Sequence, residues 1–216
     1  MKKGYTHIAV VMDRSGSMGS ILDSTIEGFN TFLSEQQKVV GKATLTYAQF
    51  DSDYEIVYRN VDIKDVPNLN RGTFVPRGLT ALNDAICRTI DTVGEDLQVL
   101  KESQRPEKII FVIVTDGGEN DSKIFSAEQA KEKISHQSSK YNWEFVYLGA
   151  NQDAILTAKS YNIAASNAIT YGTNAAGVKG VYTTMTSKMA DFRTGAVRSM
   201  AYTEDERSEQ EAANKI

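Results

Sequence analysis

A chain of 216 residues, 41% hydrophobic and 24% charged, suits one globular domain long enough to bury a core without disulfides or zinc. Its 28 acidic against 24 basic residues give a net charge of −4, and with no clustered basic stripe this argues against a nucleic-acid surface. The lone cysteine, Cys87, excludes an intramolecular disulfide and any paired-cysteine zinc motif, and its helical surroundings make it a small buried hydrophobe.

The opening "MKKGYTHIAVVMD" has an apolar run too short for a signal-peptide core. No stretch approaches the roughly 20 apolar residues of a membrane span. The expected location is therefore the cytoplasm, with no membrane partner.

Taken in order, "THIAVVM" (6–12) reads as a buried strand. The following "SILDSTIEGFNTFLSEQQKVV" places Leu22, Ile26, Phe29 and Leu33 on one helical face. "KATLTYAQF" and "YEIVYRN" flank "DSD" (51–53) and predict a hairpin. After the irregular "DIKDVPNLNRGTFVPRGL", a stripe of Leu82, Ile86, Ile90, Val93, Leu97 and Leu100 predicts a second helix. "KIIFVIV" (108–114) reads as a central strand covered on both faces. "SAEQAKEKISHQ" predicts a helix capped by Ser126. Then come a strand "WEFVYLGA", a short helix "QDAILTAKSY", a weaker strand "NAITYG" and a last helix "NAAGVKGVYTTMTSKMADF" whose Val181, Met185, Met189 and Phe192 pack inward. From Thr203 the acidic "TEDERSEQEAANKI" lacks an apolar stripe, so residues 203–216 are expected to be a frayed helix or disordered tail after a domain spanning 1–202. Strands separated by helices give an α/β fold: a doubly wound, mostly parallel sheet, one antiparallel edge strand, and helices on both faces.

In such a sheet functional groups gather beyond the carboxyl ends of the strands. Three polar segments fall there: "MDRSGSM", "RGLTALNDA" and "VTDGGEND". Singly, each has a plain reading. Asp13, Ser15 and Ser17 suit a turn and helix cap, Thr80 an N-cap helped by Asn83 or Asp84, and Asp116 a glycine turn. Together, two carboxylates and three hydroxyls without His or Cys describe a site for a hard cation.

These segments, in this order, resemble the metal-ion-dependent adhesion site of the von Willebrand factor A (vWA) domain family, a Rossmann-like fold. The resemblance spans roughly residues 5–190, although the last third carries none of the diagnostic residues. Leu79 stands where many members have a second glycine. The resemblance implies that Ser15 and Ser17 bind a cation directly and Thr80 does so in one state. Asp13 and Asp116 would act through water, or Asp116 directly in an alternative state. It implies Mg²⁺ or Mn²⁺, with Ca²⁺ also compatible with oxygen ligands, and a protein partner offering an Asp or Glu to the metal. Arg14, Met18, Arg77, Glu119 and Asn120, with "ANQD" (150–153), are the expected partner rim.

Two other readings compete. One is a vWA-shaped scaffold with a purely structural metal and partners bound elsewhere. The other is a haloacid-dehalogenase-like phosphatase, which "VVMDRS" and "TDGGEND" mimic. That chemistry needs a general acid two residues after the nucleophilic aspartate, where this chain has Ser15. A non-enzymatic binding module is expected. The histidines offer no hydrolase base, because His7 begins the first strand at the far sheet edge and His136 ends a helix.

Overall fold

The computed structural model describes residues 1–150 and 153–215. Six strands form one sheet: β1 (Lys2–Asp13), β2 (Lys42–Phe50), β3 (Tyr54–Asp62), β4 (Pro106–Thr115), β5 (Glu144–Ala150) and β6 (Ala168–Tyr171). Their spatial order is β3-β2-β1-β4-β5-β6, every pair parallel except β2 with β3. The helices are α1 (Leu22–Lys38), α2 (Leu82–Gln98), α3 (Ala127–Tyr141), α4 (Ala154–Ser160), α5 (Ala175–Thr194) and α6 (Glu204–Ala213). This is the doubly wound sheet with an antiparallel edge strand that the sequence predicts.

Alternation along β1 decides which helices cover which face. Ile8, Val10 and Met12 join Phe29, Phe32 and Leu33 of α1 and Val178, Val181, Met185 and Met189 of α5 in one core. Ala9 and Val11 face the other way, among Leu82, Ile86 and Ile90 of α2, Ile134 of α3 and Ala158 of α4. β4 splits similarly, with Ile110, Val112 and Val114 on the first side and Phe111 and Ile113 on the second. Burying each of the Val, Leu, Ile, Phe and Met side chains among these contributes about 1.5–3 kcal/mol relative to leaving it exposed.

The winding reverses between β1 and β4. From β1 the chain steps outward through β2 and β3, and from β4 it steps outward the opposite way. Crossovers diverge at that point and leave a crevice beyond the strand ends. Met12 pairs in register with Val114, so Asp13 and Thr115 sit side by side at its mouth.

The C-terminal segment departs from expectation. Residues 204–213 form α6, a capped helix: the Thr203 side chain accepts from the Glu206 amide while the Glu206 carboxylate accepts from the Thr203 amide. An apolar stripe was never needed, because polar bonds dock the helix. Gln210 is buried and its Nε2 donates to Gly177 O at 2.9 Å. Gly172 N donates to Asn214 Oδ1 at 2.7 Å, and Asn214 Nδ2 to Thr170 O at 3.1 Å. Lys188 Nζ of α5 pairs with Glu206 at 2.9 Å. The glycines of α5 make this approach possible, since a Cβ on Gly180 would meet Gln210 Oε1 at 2.8 Å.

A chain ending at Tyr202 is expected to melt about 5 °C or more below the full chain, each kcal/mol being worth roughly 2–4 °C at this size. An unchanged calorimetric midpoint would contradict the docking of α6.

Candidate cation site at the switch point

Asp13 ends β1 fully buried. Its Oδ2 accepts from the Thr115 hydroxyl at 2.7 Å and its Oδ1 from the Ser15 amide at 2.6 Å. Among the described residues, neither Asp13 nor Asp116 has an ion-pair partner. Burial pushes the Asp13 carboxyl up to about 6; the bonds from Thr115 and Ser15 oppose the rise, and the nearby Asp116 charge adds to it. Burial also raises the Asp116 carboxyl, against the pull of the Ser17 hydroxyl.

The oxygens of the first and third segments meet. Ser15 Oγ lies 3.1 Å from Ser17 Oγ, and Ser17 Oγ donates to Asp116 Oδ1 at 2.7 Å. The 3-10 turn Gly16–Ile21 follows at once, and the Ser15 side chain makes no capping bond to it. That hydroxyl is therefore committed to the cluster rather than to a helix cap.

The second segment approaches through its backbone. Gly16 N donates to Gly78 O at 3.2 Å and Arg77 N to Arg14 O at 2.8 Å. Thr80 is buried, and its Oγ1 lies 3.9 Å from where a Cβ on Gly117 would stand, so the hydroxyl faces the turn after Asp116. Thr80 does not cap α2. The N-cap position is Ala81, without a side-chain bond, and the first turn is satisfied from the third segment. Glu119 Oε2 accepts from Asn83 N at 2.8 Å, and Ser122 Oγ from Asp84 N at 3.1 Å. Asp84 in turn accepts from the amides of Lys123, Ile124 and Phe125.

The Ser15–Ser17 and Ser17–Asp116 oxygen separations, 3.1 and 2.7 Å, are those of hydrogen bonds. They are also compatible with neighbouring ligands of a Mg²⁺ octahedron, which stand about 3.0 Å apart for bonds of about 2.1 Å. Among the described residues no three His, Cys, Asp or Glu side chains gather as metal ligands. The cluster is instead hydroxyl-rich, and among the described residues neither its buried carboxylate, Asp13, nor its half-buried one, Asp116, is ion-paired.

The expected rim divides. Met18 is fully buried in the core beneath the sheet edge and presents nothing to a partner. Arg14 is also buried: its guanidinium turns away from the cluster to Asp51 at 2.9 Å, Glu55 at 2.6 Å and Gln49 at 3.2 Å. Their positions beside Ser15 and Ser17 in sequence place both on the expected rim, but tight turns send consecutive side chains in different directions. Glu119 is half-buried, and its carboxylate is used up on the amides of Asn83, Asp121 and Ser122. Arg77 and Asn120 are exposed; Arg77 pairs with Asp51 at 2.8 Å and Asn120 Oδ1 accepts from Thr80 N at 2.8 Å. Asn151 and Gln152 of "ANQD" lie outside the described residues.

Sequence reasoning missed Thr115 and Asp51 as organisers. Thr115 ends a strand whose register with β1 is not legible in sequence, and Asp51 stands in the "DSD" stretch that sequence marks only as the connection of a hairpin. His7 lies midway along β1 rather than at its start, buried with Nδ1 at 2.8 Å from Thr44 Oγ1. Cys87 is fully buried, and burial pushes its thiol up to about 12.

No family model and no curated protein matches the chain. Solved structures do. Proximal thread matrix protein 1 from the mussel byssus, with a zinc-occupied MIDAS motif, superposes with a TM-score of 0.58 and 15% identity, over 87% of this chain and 46% of that one. The ArnB paralog VWA2 from Sulfolobus acidocaldarius gives 0.52 and 18%, over 86% and 45%. Manganese-loaded TRAP from Plasmodium vivax gives 0.50 and 18%, over 69% and 58%. The chain spans about half the length of these structures. At such identities the likeness is one of fold.

The raised Asp13 carboxyl has a consequence for stability without metal. Below its ordinary value of 3.8 the group is protonated in both folded and unfolded chains. As pH rises from there to about 6 the unfolded chain releases a proton that the folded chain holds, so stability falls, and it stays lower above that window. The penalty is on the order of 3 kcal/mol. In EDTA at pH 7.5, Asp13→Asn is therefore expected to be about 1–3 kcal/mol more stable than wild type by urea unfolding, the gain vanishing near pH 4. A loss of stability at pH 7.5 would contradict this account of the buried charge.

Proposed function

From the von Willebrand factor A fold that this chain adopts, we propose that it is a divalent-cation-dependent protein-recognition module. The single observation carrying this reading is the hydroxyl-rich cluster of Ser15, Ser17 and Asp116 beside the buried Asp13 carboxylate, with neither carboxylate ion-paired among the described residues. Ser15 and Ser17 would bind Mg²⁺ or Mn²⁺ directly, Thr80 in one state, and Asp13 and Asp116 through water or, for Asp116, directly. Held mostly by neutral hydroxyls, a bound cation keeps enough charge to attract an Asp or Glu carboxylate from a partner protein. The neighbours bearing a zinc-occupied MIDAS motif or loaded with manganese support a divalent-ion role for the fold.

Each residue has a distinct task under this reading. Asp13, fixed by Thr115 and the Ser15 amide, supplies negative charge from beneath the cluster. Ser15 and Ser17 supply oxygens without neutralising the cation. Asp116 shares its carboxylate with Ser17 and can exchange that hydrogen bond for the ion. In favour of binding rather than catalysis, Ser15 occupies the position where a phosphatase of similar layout needs an acid, and His7 is packed against Thr44 away from the cluster. Arg77, Leu79 and Asn120, exposed on the loops that meet at the cluster, would border the approach to it.

Titration calorimetry of Mn²⁺ into EDTA-stripped protein is expected to give one saturable site, abolished in Asp13→Ala and weakened at least tenfold in Ser15→Ala. Absence of binding in the wild type, or an unchanged isotherm in Asp13→Ala, would overturn the reading. A purely structural metal is separated by the partner: a complex that survives both EDTA and Asp13→Ala would favour the scaffold alternative.

A further inference from the structure

The turn between β2 and β3 touches both loops of the cluster without contributing to it. Asp51 is buried, and its Oδ2 accepts from Arg14 Nε at 2.9 Å and from Arg77 Nε at 2.8 Å. Its Oδ1 accepts from Asp53 N at 2.7 Å, and its backbone carbonyl from Ala81 N at 3.0 Å. One residue later, Ser52 Oγ accepts from Leu79 N at 3.1 Å. Arg14 lies between Asp13 and Ser15, while Arg77 to Ala81 brackets Thr80. A single carboxylate therefore bridges the loop carrying Asp13, Ser15 and Ser17 and the loop carrying Thr80.

Charge placement strengthens this. Arg14 and Arg77 are the basic residues beside the cluster, and a guanidinium turned toward Asp13 or Asp116 would occupy the carboxylates and repel a cation. Asp51 draws both the other way, assisted by Glu55 at 2.6 Å on Arg14 and Asp53 at 3.5 Å on Arg77. Burial works against the Asp51 charge, but the donors of Arg77, Asp53 and Arg14 outweigh it and hold the carboxyl below its ordinary range. The glycine between these loops fits the same geometry: Gly78 has φ +67°, and a Cβ there would meet Ser52 Oγ at 3.2 Å and Asp51 Cβ at 3.3 Å.

We propose that Asp51 is the positioning residue of the cation site: it sets Thr80 against Ser15 and Ser17 and holds the two flanking arginines away from Asp13 and Asp116. The inference rests on the metal reading above. Outer partners that orient metal ligands typically change affinity ten- to hundredfold when lost.

The test is Mn²⁺ affinity, by calorimetry of the full chain well below its melting temperature. Wild type, Asp51→Asn, Arg77→Gln and the core variant Ile134→Val are compared, the last a destabilised control remote from the loops. Asp51→Asn is expected to weaken Mn²⁺ binding ten- to hundredfold and Arg77→Gln less, while Ile134→Val stays within twofold of wild type. A merely structural Asp51 would lower melting temperature as the control does and leave the Mn²⁺ affinity alone. Wild-type binding with Asp51→Asn within twofold overturns the positioning role but spares the metal site. A wild type that binds no Mn²⁺ overturns the metal reading and this role with it. Should Asp51→Asn fail to fold, Arg77→Gln decides: its side chain is exposed, and unchanged affinity there overturns the proposal.

Discussion

The end of β1 poses the problem around which the rest of this structure is arranged: a carboxylate fully buried without a cationic partner among the described residues. A charge removed from water is tolerated only when paired or well hydrogen-bonded. Asp13 has two short bonds, from Thr115 and the Ser15 amide, and they do not fully offset its burial. Both come from the crevice where the winding reverses, and Ser15 carries its hydroxyl into contact with Ser17 and, through it, Asp116. The uncompensated charge and the oxygen cluster are thus one feature.

The three loops that meet there are joined mostly by backbone bonds. Gly16 to Gly78, Arg77 to Arg14, Asn120 to Thr80 and Ala81 to Asp51 form a continuous mesh. Side chains then finish it: Glu119 and Asp84 absorb the loose amides of the α2 start and the 121–125 loop. Such a mesh permits small hydroxyl residues to be held at fixed separation although each has little packing surface of its own. It also explains why charged residues adjacent in sequence take opposite roles, Asp13 facing the cluster and Arg14 serving the network behind it.

Much of this was readable from residues alone, for identifiable reasons. Strands and helices followed from apolar periodicity, which is local, and the mostly parallel sheet with its antiparallel edge strand followed from alternation of the elements. The grouping of Asp13, Ser15, Ser17, Thr80 and Asp116 beyond the strand ends followed from the same topology and from the resemblance of three short segments. What escaped was set by long-range polar contacts. Met18 and Arg14 were misplaced at the rim because their direction depends on the 3-10 turn and on Asp51, which is distant in sequence. α6 was misread because its docking uses Gln210, Asn214 and Glu206, residues that give no hydrophobic pattern. Thr115 was hidden because only the register of β1 with β4 reveals that it faces Asp13.

Under the proposed function a divalent cation fills the charge gap above Asp13. Crystals soaked in Mn²⁺ and measured at a wavelength where manganese scatters anomalously would locate it. One strong anomalous peak is expected between Ser15 Oγ, Ser17 Oγ and Asp116, near Thr80. A featureless map there at saturating Mn²⁺, or a peak only elsewhere on the surface, would contradict it.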